Sequence, residues 1–144
     1  MPPHHTFLEH QKKTLDIIRG TVTLDIGSFD VPSISDALGE NVPKQYHDLF
    51  TENRDDWIAA SPMLHVSMDK GIPPPLLIYV AGREHHKQEN HRFAAKLKAH
   101  GYDAEVFEAK DRTHHTLAYN IGVTGDPATE KVIEFIESRQ KKSK

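Results

Sequence analysis

One stretch restricts the fold more than any other: Pro73 to Leu117, PPPLLIYVAGREHHKQENHRFAAKLKAHGYDAEVFEAKDRTHHTL. It opens with the apolar run Leu76-Leu77-Ile78-Tyr79-Val80, between prolines and Gly82. The run is short and β-branched, which predicts a buried strand. A polar turn, Arg83-Glu84-His85-His86, leads into a predicted helix from Gln88 to His100, with Phe93, Ala94 and Leu97 sharing a face. Gly101 stands where a helix end turns left-handed. Ala104 to Ala109 reads as a second strand, followed by a polar turn that carries His114 and His115. A strand, helix and strand at this spacing make a βαβ unit, with parallel strands and a right-handed crossover. Both polar turns then fall at the carboxyl edge of one sheet, where open α/β sheets place their chemistry. Glu84 and His114, thirty positions apart, are therefore expected to meet.

The rest of the chain extends that unit. Thr21 to Ile26 alternates Val22, Leu24 and Ile26 with polar residues, a strand pattern broken at Gly27-Ser28-Phe29-Asp30. Ser33 to Leu38 predicts a short helix closed by Gly39. Tyr46, Leu49 and Phe50 share one face, and Trp57 and Ile58 follow an Asn53 cap with Asp56 at the third helical position. Ser61-Pro62 stops that segment, and Met63 to Ile72 is expected to be a loop. Near the end, Asp126-Pro127 supplies an N-cap and a first-turn proline for a helix whose face is Val132, Ile133, Phe135 and Ile136. The expected fold class is α/β, three-layered, with a mainly parallel sheet of three strands. Residues 1–13 form a leader without core pattern, 14–139 the domain (with a turn of helix over Thr14 to Ile18), and 140–144 a basic tail.

Composition removes several functions. The chain has 144 residues, enough for one domain with a core. A net charge of −3 gives no basic surface for nucleic acid, and no apolar run approaches the ~20 residues of a membrane span. Without cysteine there is no thiolate nucleophile, disulfide or thiolate metal site. No signal peptide opens the chain, so a cytoplasmic location is expected. Eleven histidines remain to be explained. One reading uses His85, His86, His91, His114 and His115 for a metal, but His86 and His91 are five apart and miss the spacing of a helical ligand pair. Another makes the chain a small α/β binding module, with Gly27-Ser28-Phe29-Asp30 as its phosphate loop. Neither a metal nor a cofactor is expected.

A carboxylate and a histidine at a sheet's carboxyl edge are two parts of an acyl-transfer triad, in which the acid orients the imidazole and the imidazole takes a nucleophile's proton. The order of pieces resembles the carboxyl-terminal half of the esterase/lipase branch of the α/β-hydrolase superfamily, small bacterial carboxylesterases especially. Arg19 to Pro32 is similar to their sixth strand and the loop into the lid region. Ala60-Ser61-Pro62-Met63-Leu64-His65-Val66 looks like the stretch before their seventh strand, and Leu76 to Glu84 like that strand ending at the triad acid. The segment Arg92 to Leu97 with Gly101 resembles the next helix, and Asp111 to Leu117 the loop bearing the triad histidine. The resemblance covers Leu15 to Ser138 and implies a partial α/β-hydrolase fold made of the last three strands and their helices.

Carried over by position, Glu84 matches the acid and His114 the histidine, with His115 the neighbouring candidate. Aspartate is commoner at the acid position, and Ala81-Gly82 stands where a Gly-Asp pair is frequent. Trp57, Tyr46 and Phe50 would line a pocket in the lid region. The sequence contains no G-x-S-x-G, the strained turn that presents a serine nucleophile. Ser28 follows a strand, but Ile26 and Asp30 occupy the positions where that turn needs small residues. The resemblance therefore implies a truncated carboxylic-ester hydrolase that is inactive alone and takes a small-molecule ester only when an amino-terminal half completes it. The strand Thr21–Ile26 would then be an exposed edge, open to self-association.

Overall fold

The computed structural model describes residues 17–42, 44–51 and 53–141. The leader Met1–Lys13, the start of the helical turn at Thr14 and the tail beyond Lys141 lie outside the described residues, as do the side chains of Tyr46 and Phe50.

The elements run β1 (Thr21–Leu24), α1 (Val31–Leu38), α2 (Lys44–Phe50), α3 (Arg54–Ala59), β2 (Pro75–Val80), α4 (Glu84–Ala99), β3 (Glu105–Ala109), α5 (His114–Asn120) and α6 (Pro127–Lys141). One-turn 3₁₀ segments follow α1 and α3, at Gly39–Asn41 and Pro62–His65. The strands form one parallel sheet in the order β1-β2-β3, with Val22 opposite Leu76 and Ile78 opposite Phe107. Every residue of β2 is buried, as a central parallel strand with both faces covered must be.

Alternation along β2 divides the core. Leu77 faces α4 and packs with Phe93, Ala94, Leu97, Phe29, Met63, Val66 and Ala104. Leu76, Ile78 and Val80 face the other way, against Ala109, Leu117, Ala128 and Phe135, with Leu24 of β1 and Val132 of α6 beside them. These are the two helical layers of an α/β/α domain. Phe29 and Phe93 stack at 4.6 Å between ring centroids, fastening the β1–α1 loop to α4.

Local chemistry accounts for the joints. Asp30 caps α1 by accepting from the Ser33 N–H, and the buried Ser61 hydroxyl accepts from the Val31 N–H while donating to the Trp57 carbonyl. With Pro32 contributing no donor, the first turn of α1 is satisfied. Asn53 caps α3 through the Asp55 N–H, whereas Asp56 accepts from Thr51 instead of reaching back to the cap. Gly101, at φ +84°, ends α4 as its position predicts.

Several boundaries differ from expectation. β1 ends at Leu24 because Asp25 turns to φ +54°, off the strand. α1 begins at Val31 because its N-cap is Asp30, upstream of Ser33. The helix expected from Gln88 starts at Glu84, so His85 and His86 belong to its first turn. The turn expected to carry His114 and His115 is the start of α5, where Thr113 and Thr116 form a reciprocal cap.

Candidate active site

The carboxyl edge of the sheet gathers three loops around one carboxylate, that of Asp25. Its side chain is fully buried where β1 ends, in a left-handed backbone conformation that aspartate tolerates better than most residues. Four donors converge on it. Oδ1 accepts from the Val80 N–H and from His86 Nδ1, each at 3.0 Å. Oδ2 accepts from His114 Nδ1 at 3.0 Å and from the Arg83 guanidinium. Thus β1 supplies the anion, β2 and the start of α4 supply Arg83 and His86, and the start of α5 supplies His114.

Burial by itself would push the Asp25 carboxyl up. The Val80 N–H, the His114 hydrogen bond and the positive fields of His86 and Arg83 outweigh it and hold the group below its ordinary 3.8. His86 is shifted down from 6.5, first by burial and then by Arg83 and His85, with Asp25 opposing. An ionised carboxylate only accepts, so both imidazoles carry their proton on Nδ1. That leaves Nε2 of His114 with a free lone pair, on a side chain 55% exposed. An oriented imidazole with an open Nε2 is the arrangement of a general base.

The surrounding contacts hold the constellation in register. His85 Nε2 donates to the Gly27 carbonyl at 2.7 Å, and Asn90 Nδ2 donates to the Ile26 carbonyl. Gly27 lies so close beneath the His86 ring that a Cβ there would sit 2.7 Å from Cδ2 and Nε2. On the other side, Arg112 pairs with Asp126, the cap of α6, and so anchors the loop leading into His114. Asp126 is held below its ordinary value, chiefly by the Arg112 hydrogen bond.

The structure draws Glu84 and His114, expected to meet, to different partners. Among the described residues no hydrogen bond joins them: Glu84 opens α4 and accepts from Gln88, four residues along the same helix. As the first helical residue, its charge suits the positive end of α4. His115 adjoins His114 ring to edge, 5.5 Å between centroids, and among the described residues it has no hydrogen bond to Asp25. The Ser28 hydroxyl makes no hydrogen bond among the described residues, and its loop is occupied internally by His85, Asn90 and the Asp30 cap. Trp57 is buried, donating to the Thr51 carbonyl. No group of three or more metal-ligating side chains is arranged to hold an ion among the described residues. No described helix is long and apolar enough to cross a membrane.

Asp25 was legible in principle. The rule that led to Glu84 and His114, that chemistry follows strand ends, applies equally to β1, and Asp25 is the residue directly after it. Its place in an alternating run disguised it as the solvent face of a strand.

A family model described as alpha/beta hydrolase fold matches residues 29–118, more than half of the chain. The matched span contains Glu84 and His114, and Asp25 lies just before it. No curated protein and no solved structure matches the chain.

Proposed function

The chain belongs to the alpha/beta hydrolase fold family, and from that premise we propose that it carries the acid–base part of an esterase-type acyl-transfer centre. His114 is the general base and Asp25 the carboxylate that orients it. The observation that supports this reading is the 3.0 Å contact between His114 Nδ1 and the buried Asp25 Oδ2. With Nδ1–H committed to Asp25, Nε2 receives the proton of an attacking hydroxyl, and the imidazolium formed is stabilised by the carboxylate beside it. Nε2 then returns the proton to the departing alkoxide. Arg112 and Asp126 act as positioning residues for this base.

The reaction also needs a nucleophile and oxyanion donors. The sequence contains no G-x-S-x-G, and among the described residues the Ser28 hydroxyl makes no hydrogen bond to a histidine. The 144-residue chain therefore shows no turnover of short-chain p-nitrophenyl esters above background. Robust hydrolysis abolished by Ser28→Ala would overturn this assignment. The complementary test joins the chain to a polypeptide carrying a G-x-S-x-G turn and its oxyanion loop. Ester turnover that appears, and falls by several orders of magnitude in His114→Ala, is the expected result; turnover indifferent to His114 removes the proposal.

The carboxylate assignment has its own test. Free neutral imidazole favours the Nε2–H form, so an Nδ1–H tautomer at His114 is a signature of its partner. Long-range ¹H–¹⁵N correlation spectra should show that tautomer in the wild type and in Glu84→Gln, and its loss in Asp25→Asn. The reverse pattern would return the role to Glu84.

A further inference from the structure

The acid–base reading leaves one imidazole unused. His86 donates Nδ1–H to Asp25 Oδ1 while His114 donates Nδ1–H to Oδ2, so one carboxylate serves two titratable rings. A plain structural donor at this position needs no titratable group, and the Val80 N–H already occupies the same oxygen. His86 is also held from several sides. Its side chain is 16% exposed, its ring rests on Gly27, and its backbone carbonyl accepts from Asn90. It cannot swing away when it gains a proton.

We propose that His86 is a positioning residue that regulates His114 through the carboxylate they share. This rests on the reading of Asp25 and His114 as an acid–base pair. The charged and titratable groups facing His86 are Asp25 from the end of β1, Arg83 and His85 from the start of α4, and His114 across the carboxylate from α5. Neutral His86 fixes one oxygen of Asp25 and leaves the other free to orient His114. Protonated His86, fixed against the same anion and beside Arg83, draws the carboxylate's charge to itself. The second oxygen then accepts more weakly from His114, and two like charges face each other across one anion. Protonation of either ring thereby opposes protonation of the other, by the same free energy in each direction. The downward displacement of His86 by burial and Arg83 places this coupling on the acid side of neutrality. The consequence for a completed enzyme is a base that loses its orientation as His86 takes up its proton.

The experiment follows the ring nitrogens of the full chain, labelled with ¹⁵N-histidine, through a pH titration. In the wild type the His114 signals should show an inflection that coincides with the titration of His86 itself. In His86→Asn, which keeps an N–H donor but not the titration, the inflection at the His86 midpoint should vanish. In His114→Asn the His86 midpoint should move to higher pH. A wild-type His114 curve with no inflection at the His86 midpoint overturns the regulation, and needs no variant to fold. An unchanged His114 curve in His86→Asn does the same. Asp25→Asn separates the two claims: if His114 keeps its Nδ1–H tautomer there, the acid–base pair itself is wrong. If that tautomer is lost while His86→Asn changes nothing, only the regulation falls.

Discussion

Asp25 is the residue on which the site depends, and its conformation is part of the arrangement. A non-glycine residue at φ +54° carries strain that only a well-determined surrounding maintains; here that surrounding is four hydrogen bonds to a fully buried carboxylate. Removing the carboxylate with Asp25→Ala leaves Arg83 and two imidazoles without their anion. A loss of about 3–5 kcal/mol in urea unfolding is expected, the scale for breaking one side of a buried ion pair. Gly27 is the quieter constraint. Its Cβ-less backbone allows the His86 ring to approach, so Gly27→Ala must push the ring off Asp25. The expected cost is about 1–3 kcal/mol, the range for overpacking. Unlike a change at an exposed position, it should also alter the His86 ring signals in NMR spectra. An unchanged spectrum would mean that the loop yields and the ring stays.

At the level of elements, α1 and α3 are bridged at the surface by the Arg54–Asp36 ion pair and in the interior by one hydroxyl. Ser61 Oγ accepts from the Val31 N–H at 3.0 Å and donates to the Trp57 carbonyl at 2.6 Å, with no part of Ser61 exposed. Ser61→Ala removes both bonds at once and leaves a buried donor and acceptor unpaired. The loss should be about 1–3 kcal/mol for the orphaned pair, read from the denaturation midpoint. Pro62 is explained by the same joint: it turns the chain away so that the Met63 N–H can donate to the Phe29 carbonyl. The residues that resemble a family signature here are thus a covalent and hydrogen-bonded bracket. They support the β1–α1 loop from below while α4 grips it through His85, His86 and Asn90.

The molecule as a whole should weaken in acid, and for the candidate site the sign follows from Asp25 and His86. Asp25 is held below 3.8 in the fold, so its contribution is complete above that value and disappears as pH falls through the lower folded one. His86 is held below 6.5, so the unfolded chain takes up a proton there before the folded chain does. Stability therefore begins to fall below about 6.5 and falls again below about 3.8. Urea midpoints measured from pH 7.5 to 3.5 should show both losses, and His86→Asn should flatten the first. A midpoint that stays level between pH 7 and 5 would contradict the burial of His86. The sheet's margin gives a second whole-molecule expectation. Among the described residues β1 has no strand on its outer side, and Val22 stands 37% exposed beside it. An open parallel edge with apolar side chains recruits another chain. Light scattering should detect concentration-dependent association, reduced by Val22→Lys; a monomer at all concentrations would show that the edge is covered.

The sequence alone determined the elements whose cause is local. The β2 run, with six buried residues, declares itself by composition, and the βαβ order forces β2 and β3 parallel. Gly101, Asn53 and Asp126 mark helix ends because each satisfies backbone groups next to it. The place of His114 at the carboxyl edge was legible too, because it follows a strand. What only the tertiary structure decided is the partner of His114. Hydrogen bonding between side chains depends on where three loops come together, and residues eighty-nine positions apart leave no periodicity to read. Glu84 follows its strand as correctly as Asp25 follows β1. It begins α4, however, and its carboxylate is taken by Gln88, while the turn at Asp25 directs its carboxylate inward to four waiting donors.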